Sequence, residues 1–258
     1  MDAMGLELTR SAPGYLPALL RVGALVAVAP PFASPAVPRR VRALLATGLT
    51  IGLLPAVATP AVPPTTAGWI VGLGGEVLIG LAMGFALALV FAAAAMAGNL
   101  IAGQLGLSLP EAYDPGAGGG AGSPVGQALW LIAAVVFFAA NGHHALLRAV
   151  AASFTSVPVM TLSNASAATG MLVGLLQSTT VLAIQIAAPV FVATLVADLA
   201  IGMIARTIPQ LGVMTAGLTV RAIAGLLVLI AAIAGTVALL RASMTINWTG
   251  LLQSIAGG

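Results

Sequence analysis

Apolar stretches recur along this chain, separated by short polar or Pro/Gly-rich breaks. The first covers residues 16–37 and is interrupted by Arg21 and by Pro30 and Pro31. The second covers 41–58, with Pro55 inside it, and Pro60, Pro63 and Pro64 then make a stiff connector. The third, 69–107, is unusually long: as one helix it would extend roughly 58 Å, against about 30 Å of bilayer hydrocarbon. It is expected to break, bend or project beyond the membrane. A glycine-rich loop at about 106–126 follows, then a fourth run at 127–140 and a mixed stretch, 141–169, containing Pro158 and a Ser/Thr/Asn patch. The fifth run, 171–204, is again too long for one straight span and contains Pro189; Pro209 closes it, and the sixth run covers 222–240. Six nominal spans result. Their lengths suit kinked helical hairpins better than a simple bundle. Broken helices in apolar surroundings need neighbouring protein or trapped water to satisfy the freed backbone groups, so the pattern predicts an all-α subunit packed inside a larger assembly.

Composition strengthens the membrane reading. Sixty per cent of the 258 residues are hydrophobic and 6% are charged, with mean hydropathy +1.13. A soluble domain carries about a quarter charged residues, so bilayer or other apolar protein surface must solvate most of this chain. Net charge is +3, but the nine basic residues are all arginines, scattered except at Arg39, Arg40 and Arg42, and lack aromatic interleaving. A nucleic-acid surface is therefore not indicated. Without cysteine there are no disulfides, iron–sulfur clusters or thiol chemistry. Asp2 and Glu7 precede the first apolar run, which argues against a basic n-region and a cleaved signal peptide. Arginine counting gives a slight positive-inside bias: with the Arg39–Arg42 turn cytoplasmic, Arg206 and Arg221 fall on the same side, opposite Arg10, Arg148 and Arg241.

Several polar features interrupt the apolar pattern. Gly80, Gly84, Ala88 and Ala92 recur every fourth position, a spacing that lets helix backbones approach closely. Glu76 lies one turn earlier on the same face. A satisfied interhelical hydrogen bond is the plain reading, since intramembrane charges usually find partners; an intersubunit contact or a polar lining is the sharper one. Asp198 lies deep in the fifth run, with Gly202 one turn later and Arg206 two turns later. Two turns are about 11 Å, too far for a direct intrahelical pair. Glu76 and Asp198 are the only acids inside long apolar runs, fewer than a proton-coupled carrier usually shows, so structural pairing is expected. His143 and His144 stand beside Asn141 and Gly142. With two histidines in the chain and no cysteine, a zinc site of three or four protein ligands is not expected; a turn followed by interfacial imidazoles is.

The segment LSLPEAYDPGAGGGAGSP, residues 107–124, begins at Leu107 and carries Glu111, Tyr113, Asp114 and Pro115 ahead of the Gly118, Gly119, Gly120 tract. Glycine alone would make it a flexible linker. It nevertheless leaves directly from the longest helical run, after Asn99 and Gln104, and a mobile segment in that position could occlude a pore. The glycine tract lacks the Lys-Ser/Thr of a phosphate loop. No GxSxG elbow, HExxH helix or carboxylate pair is present, so no enzymatic activity and no cofactor are expected.

These residues together resemble the FliR family, the R-type subunit of the flagellar type III export gate, and its injectisome T-type counterparts. The resemblance lies in Arg21 with Pro30, then Pro38 and Arg42; in Glu76 and Gly80 leading to AGNLIAGQLGLSL and Asp114-Pro115; in NGHHALLRAVAASFTSVP from Asn141; and in Asp198, Gly202, Arg206 and Pro209-Gln210, followed by GLTVRAIAGLLVL. The matches span nearly the whole chain in the family's order, and the Asn-Gly-His-His block leans towards the flagellar branch. Departures are Gly212, where the family commonly has Asn, arginine where it often has lysine, and a more glycine-rich loop after Pro115.

The resemblance implies a P-like part over 1–170, including the loop, fused to a Q-like helical hairpin over 171–258. It implies one copy assembled with P-type and Q-type subunits, with the B-type switch protein and the A-type export protein as neighbours. The loop would correspond to the family's plug, unfolded flagellar axial proteins to the cargo, and the bacterial inner membrane at the flagellar basal body to the location. Hairpins that read as transmembrane would sit largely above the bilayer plane, buried in the assembly. The alternative function is a small-molecule secondary transporter, which should show internal repeats and a midplane polar site; neither is apparent in the sequence. An intramembrane enzyme lacks a catalytic pair.

Overall fold

The structure, a computed structural model, describes residues 3–30, 32–57, 65–107, 122–160, 165–207 and 213–244. They form seven α-helices and no strand. Helix α1 is Ala3–Val28 and α2 is Arg39–Leu53. Pro38 holds the extended backbone (φ −57°, ψ 142°) that precedes α2, and its carbonyl accepts from the Val41 and Arg42 amides. Arg42 turns back to donate to the Ser34 carbonyl at 3.0 Å and to the Val37 carbonyl at 3.1 Å, satisfying the turn between α1 and α2. Pro55 converts the end of α2 into a short 3-10 turn, Leu54–Ala56.

Helix α3, Thr66–Leu105, is a single uninterrupted helix of 40 residues, and α6, Ala165–Thr207, is one of 43. Neither long run breaks, although Pro189 lies inside α6. Of the options left open by length, a break is excluded and a bend or a projection remains. Helix α4, Pro124–Ala139, and α5, Gly142–Ser156, come between them. Asn141 separates α4 from α5 with left-handed backbone (φ 55°), a conformation that asparagine tolerates better than most residues. Helix α7, Val213–Met244, follows α6.

Among the described residues, three helices are long and apolar enough to cross a membrane, or four if the bent pair α4–α5 counts as one span. Helix α2 falls short because Pro55 ends it after 15 residues, and the part of α1 counted here is the apolar stretch Gly14–Val28.

The chain divides into two compact units. One contains the residues up to Leu89 with Asn141–Leu176, and its core joins Val22, Leu25 and Val26 of α1, Met83 and Leu87 of α3, and Val150 and Phe154 of α5. The other contains Val90–Ala140 with Gln177–Met244. Its core includes Phe91, Ile101 and Leu105 of α3, Leu129 and Phe137 of α4, and Ile186 and Val190 of α6. Phe91 packs against Trp130 and Phe137 with ring centroids 5.7 and 5.9 Å apart. Burial differs sharply between the long helices. The most apolar window is 61% buried in α3, but 33% in α6 and 17% in α7. Helix α3 buries the larger part of its most apolar window, whereas α6 and α7 leave most of theirs exposed.

Candidate functional site

In the first unit the polar side chains converge on Arg21, which is fully buried on α1. Its Nε donates to Glu76 Oε2 of α3 at 2.7 Å. Nη1 donates to the Ser153 carbonyl at 2.9 Å and to Ser153 Oγ at 3.1 Å, and Nη2 donates to the Val157 carbonyl at 3.1 Å. The guanidinium also lies over the Phe154 ring, 4.6 Å from its centroid, which adds a cation–π attraction. The second carboxylate oxygen of Glu76, Oε1, accepts from the Met160 amide at 2.9 Å. Met160 itself has positive φ (67°), so the bond pins a turn that no helix supports. The pair ties α1, α3, α5 and the turn after α5 together. Removing two charges from water costs several kcal/mol per ion, and only near-complete hydrogen bonding makes such a burial tolerable. Four donor bonds on one side and two accepted bonds on the other meet that condition.

Gly80 and Gly84 explain how α1 comes close enough for this pairing. A Cβ on Gly80 would collide with the Arg21 carbonyl, and one on Gly84 would lie 2.9 Å from the Leu25 carbonyl. Both steps are four residues long in the same direction, so α1 and α3 run parallel here with backbones in contact. Ala92, the last residue of the every-fourth-position series, is exposed.

In the second unit the returning end of the glycine-rich segment is anchored. Ser123 caps α4: its Oγ accepts from the Gly126 amide at 3.0 Å, with Pro124 at the first helical position. Asn99 Oδ1 of α3 accepts from the Ser123 amide at 3.1 Å and from Ser123 Oγ at 2.7 Å. Gly98 and Gly126 let the two helices touch: a Cβ on Gly98 would lie 2.5 Å from the Gly126 Cα. Beside this anchor an open cleft of about 270 Å³ is lined by Ala95, Asn99, Gly122, Gln127, Trp130 and Leu131.

A third polar contact joins α3, α6 and α7. Arg221 lies 3.4 Å from Asp198 Oδ2 and donates to Gln104 Oε1. This pair is not sealed, since Asp198 is 45% and Arg221 27% exposed. Gly225 sits under it, with Leu105, Val190 and Thr194 filling the place of a side chain, and Gly106 (φ 73°) meets Leu218.

The sequence-derived residues distribute as follows. Glu76, Gly80 and Gly84 meet α1, and Gln104 and Asp198 meet Arg221. Asp198 is paired as expected, with Arg221 of the next helix and not with Arg206. Gly202 lies on an exposed face, with nothing among the described residues near the place of a Cβ. Asn141 forms the α4–α5 turn, and the His143 and His144 rings lie 4.1 Å apart just after it. Among the described residues no cluster of three His, Asp or Glu side chains could hold a metal. Leu107 is exposed at the end of α3. Glu111, Tyr113, Asp114, Pro115, Gly118, Gly119, Gly120, Pro209 and Gln210 lie outside the described residues. Sequence reasoning missed several members of these sites, Arg221 as the partner of Asp198 among them. Arg21 was read as an interruption of an apolar run and as a family position, not as the partner of Glu76, though an arginine at that depth signals a buried partner. Ser123-Pro124 carries a helix-start signature, and Ser153 carries no signal of its own.

Comparison with known proteins adds to this geometry. Residues 13–245 match the family described as bacterial export proteins, family 1. The flagellar biosynthetic protein FliR of Bacillus subtilis is 32% identical over 60% of this chain and 61% of its own length, so the chain spans somewhat under two thirds of that relative. FliR of Caulobacter vibrioides is 32% identical over 86% of this chain and 89% of its own length. The surface presentation of antigens protein SpaR of Shigella sonnei is 26% identical over 60% of this chain and 59% of its own.

Proposed function

Because the chain belongs to the bacterial export protein family 1, and to its FliR branch, we propose that it is a non-enzymatic, single-copy subunit of a flagellar type III export gate. In this reading it resides in the bacterial inner membrane at the flagellar basal body. It lines the path of unfolded axial proteins together with P-type and Q-type subunits, beside the B-type switch protein and the A-type export protein. Residues 1–170 act as the P-like part and 171–258 as the Q-like hairpin. The sparsely buried faces of α6 and α7 suit subunit contacts, since Asp198 lies on them half-exposed beside Leu195 and Leu199, and a carboxylate is poorly suited to lipid alone. The higher identity to FliR of Bacillus subtilis and of Caulobacter vibrioides than to SpaR of Shigella sonnei favours the flagellar branch over the injectisome one.

The observation that carries the gating role is the anchored return of the glycine-rich segment. Leu107 ends one side, and the other side is fixed at Asn99, eight residues back along α3, about 12 Å of helical rise. Residues 108–121 supply a contour of roughly 45 Å or more at ~3.3 Å per residue. The surplus is enough to reach across a channel, and the Ser123–Asn99 anchor fixes where that reach begins. Deleting residues 111–121 spares the anchor. In the gate co-expressed with its P-type and Q-type partners, the deletion is expected to raise ion conductance while assembly persists. Unchanged conductance would reduce the segment to a linker, and a chain that never joins such partners would remove the export reading itself.

A further inference from the structure

Helix α6 carries a polar break within an exposed apolar stripe. Gln185, Pro189, Val192, Val196, Leu199 and Met203 are all exposed, the last four at 60% or more. They follow one another at steps of four and three residues, the spacing of a seam that faces another helix. The stripe points away from the chain's own α7. On the opposite side of α6, Val190 and Thr194 are the residues that fill the place of a side chain at Gly225.

Two hydrogen-bonding groups of Gln185 interrupt this apolar surface. Its side-chain amide makes no hydrogen bond among the described residues. Pro189, four residues on, has no N–H to offer the Gln185 carbonyl. One residue thus presents an amide, which both donates and accepts, together with a carbonyl that only accepts. Lipid hydrocarbon supplies no donor. A carboxylate gives the carbonyl nothing, an ammonium gives the Gln185 N–H groups nothing, and a hydroxyl has one donor for two acceptors. The side chain that complements the site is another amide. The far end of the stripe adds a charge. Arg206, three residues beyond Met203, is exposed and makes no ion pair among the described residues. Its complement is a carboxylate about 31 Å along the helix from the amide.

We propose that this stripe seats an apolar helix of another subunit, one that carries Asn or Gln opposite Gln185 and an acidic residue opposite Arg206. The amide pair fixes the register of the two helices, as a lone polar residue does in an apolar seam. The inference rests on the reading of the chain as one subunit of a gate. It adds which face of α6 is covered and the chemistry of what covers it.

The test uses the full chain co-expressed with its P-type and Q-type partners, with a benzophenone photocrosslinker placed at Val192 or Val196. Crosslinked peptides are identified by mass spectrometry. Both positions are expected to reach one apolar partner helix that holds an Asn or Gln in register with Gln185. Gln185→Leu lowers the crosslink from Val192 roughly threefold or more, the least that an interhelical hydrogen bond in a membrane is worth, and spreads it over neighbouring turns. Gln185→Asn keeps most of it, and Arg206→Glu lowers recovery of the same partner. Crosslinks to lipid alone, a partner helix without an amide, or a pattern unchanged by Gln185→Leu overturns the proposal. An assembled gate with no crosslink from the stripe removes this inference and leaves the subunit reading intact. A chain that never co-purifies with those partners removes the subunit reading and the inference with it.

Discussion

Arg21 and Glu76 meet at 2.7 Å with exposures of 0% and 1%, bridging α1 and α3 across 55 residues of sequence. A pair so placed stabilises weakly as a whole yet is costly to halve. Replacing both partners with apolar residues of like size is often neutral, whereas removing one leaves an uncompensated buried charge. Arg21→Ala or Glu76→Ala is expected to lower stability by about 3–5 kcal/mol, and Arg21→Met with Glu76→Leu to lower it by less than either single change. Thermal unfolding in detergent checks both, and equal or additive losses in the double variant would contradict the arrangement.

The glycines of α3 are not equivalent. Gly80→Ala drives a methyl into the Arg21 carbonyl, so a loss of roughly 1–3 kcal/mol is expected from overpacking. Gly74→Ala meets open space and is expected to be neutral or stabilising by up to about 1 kcal/mol, the helix-propensity difference. Unfolding midpoints of the two variants should move in opposite directions.

The anchor of the glycine-rich segment makes a separable prediction. Ser123→Ala removes a helix cap and one bond to Asn99, with an expected cost of about 1 kcal/mol. Asn99→Ala removes the acceptor that holds both the Ser123 amide and its hydroxyl. Both variants should keep their helical content by circular dichroism yet raise ion conductance of the assembled gate. Conductance equal to that of the unmodified gate would detach the anchor from gating.

Asp198 and Arg221 are open to solvent where Arg21 and Glu76 are sealed. Asp198→Asn is therefore expected to change the stability of the isolated chain by less than about 1 kcal/mol, as for other exposed ion pairs. Its effect should appear in assembly, as reduced recovery of the chain with Q-type partners in pull-down. A stability loss without an assembly defect would make the pair purely internal.

The helical class, the long runs and the close approach at Gly80 and Gly84 were legible from period and composition, because those signals are local. So was the fact that Glu76 and Asp198 needed partners, since an acid in an apolar run has few alternatives. The identity of those partners was not legible. Arg21 and Arg221 come from other helices, and no periodicity links positions 21 and 76. Continuity of α3 and α6 was left open for a related reason: bilayer thickness limits a span, not a helix, and Pro189 interrupts a hydrogen bond without ending α6. The cleft beside Trp130 depends on Gly98 and Gly126 meeting, a coincidence of two helices that neither sequence stretch announces.

The seat of Arg21 also has a history in time. Its ligands are made in sequence: Glu76 comes 55 residues later, Ser153 132 residues later and Val157 136 residues later. At a synthesis rate of about 5–20 residues per second, the guanidinium waits roughly 7–26 s for Ser153. Throughout that interval α1 holds a charge whose final hydrogen bonds do not yet exist, and it cannot settle into its native seat beside α3. Of the seven helices described, α1 is made before the others and is among the last to be completed.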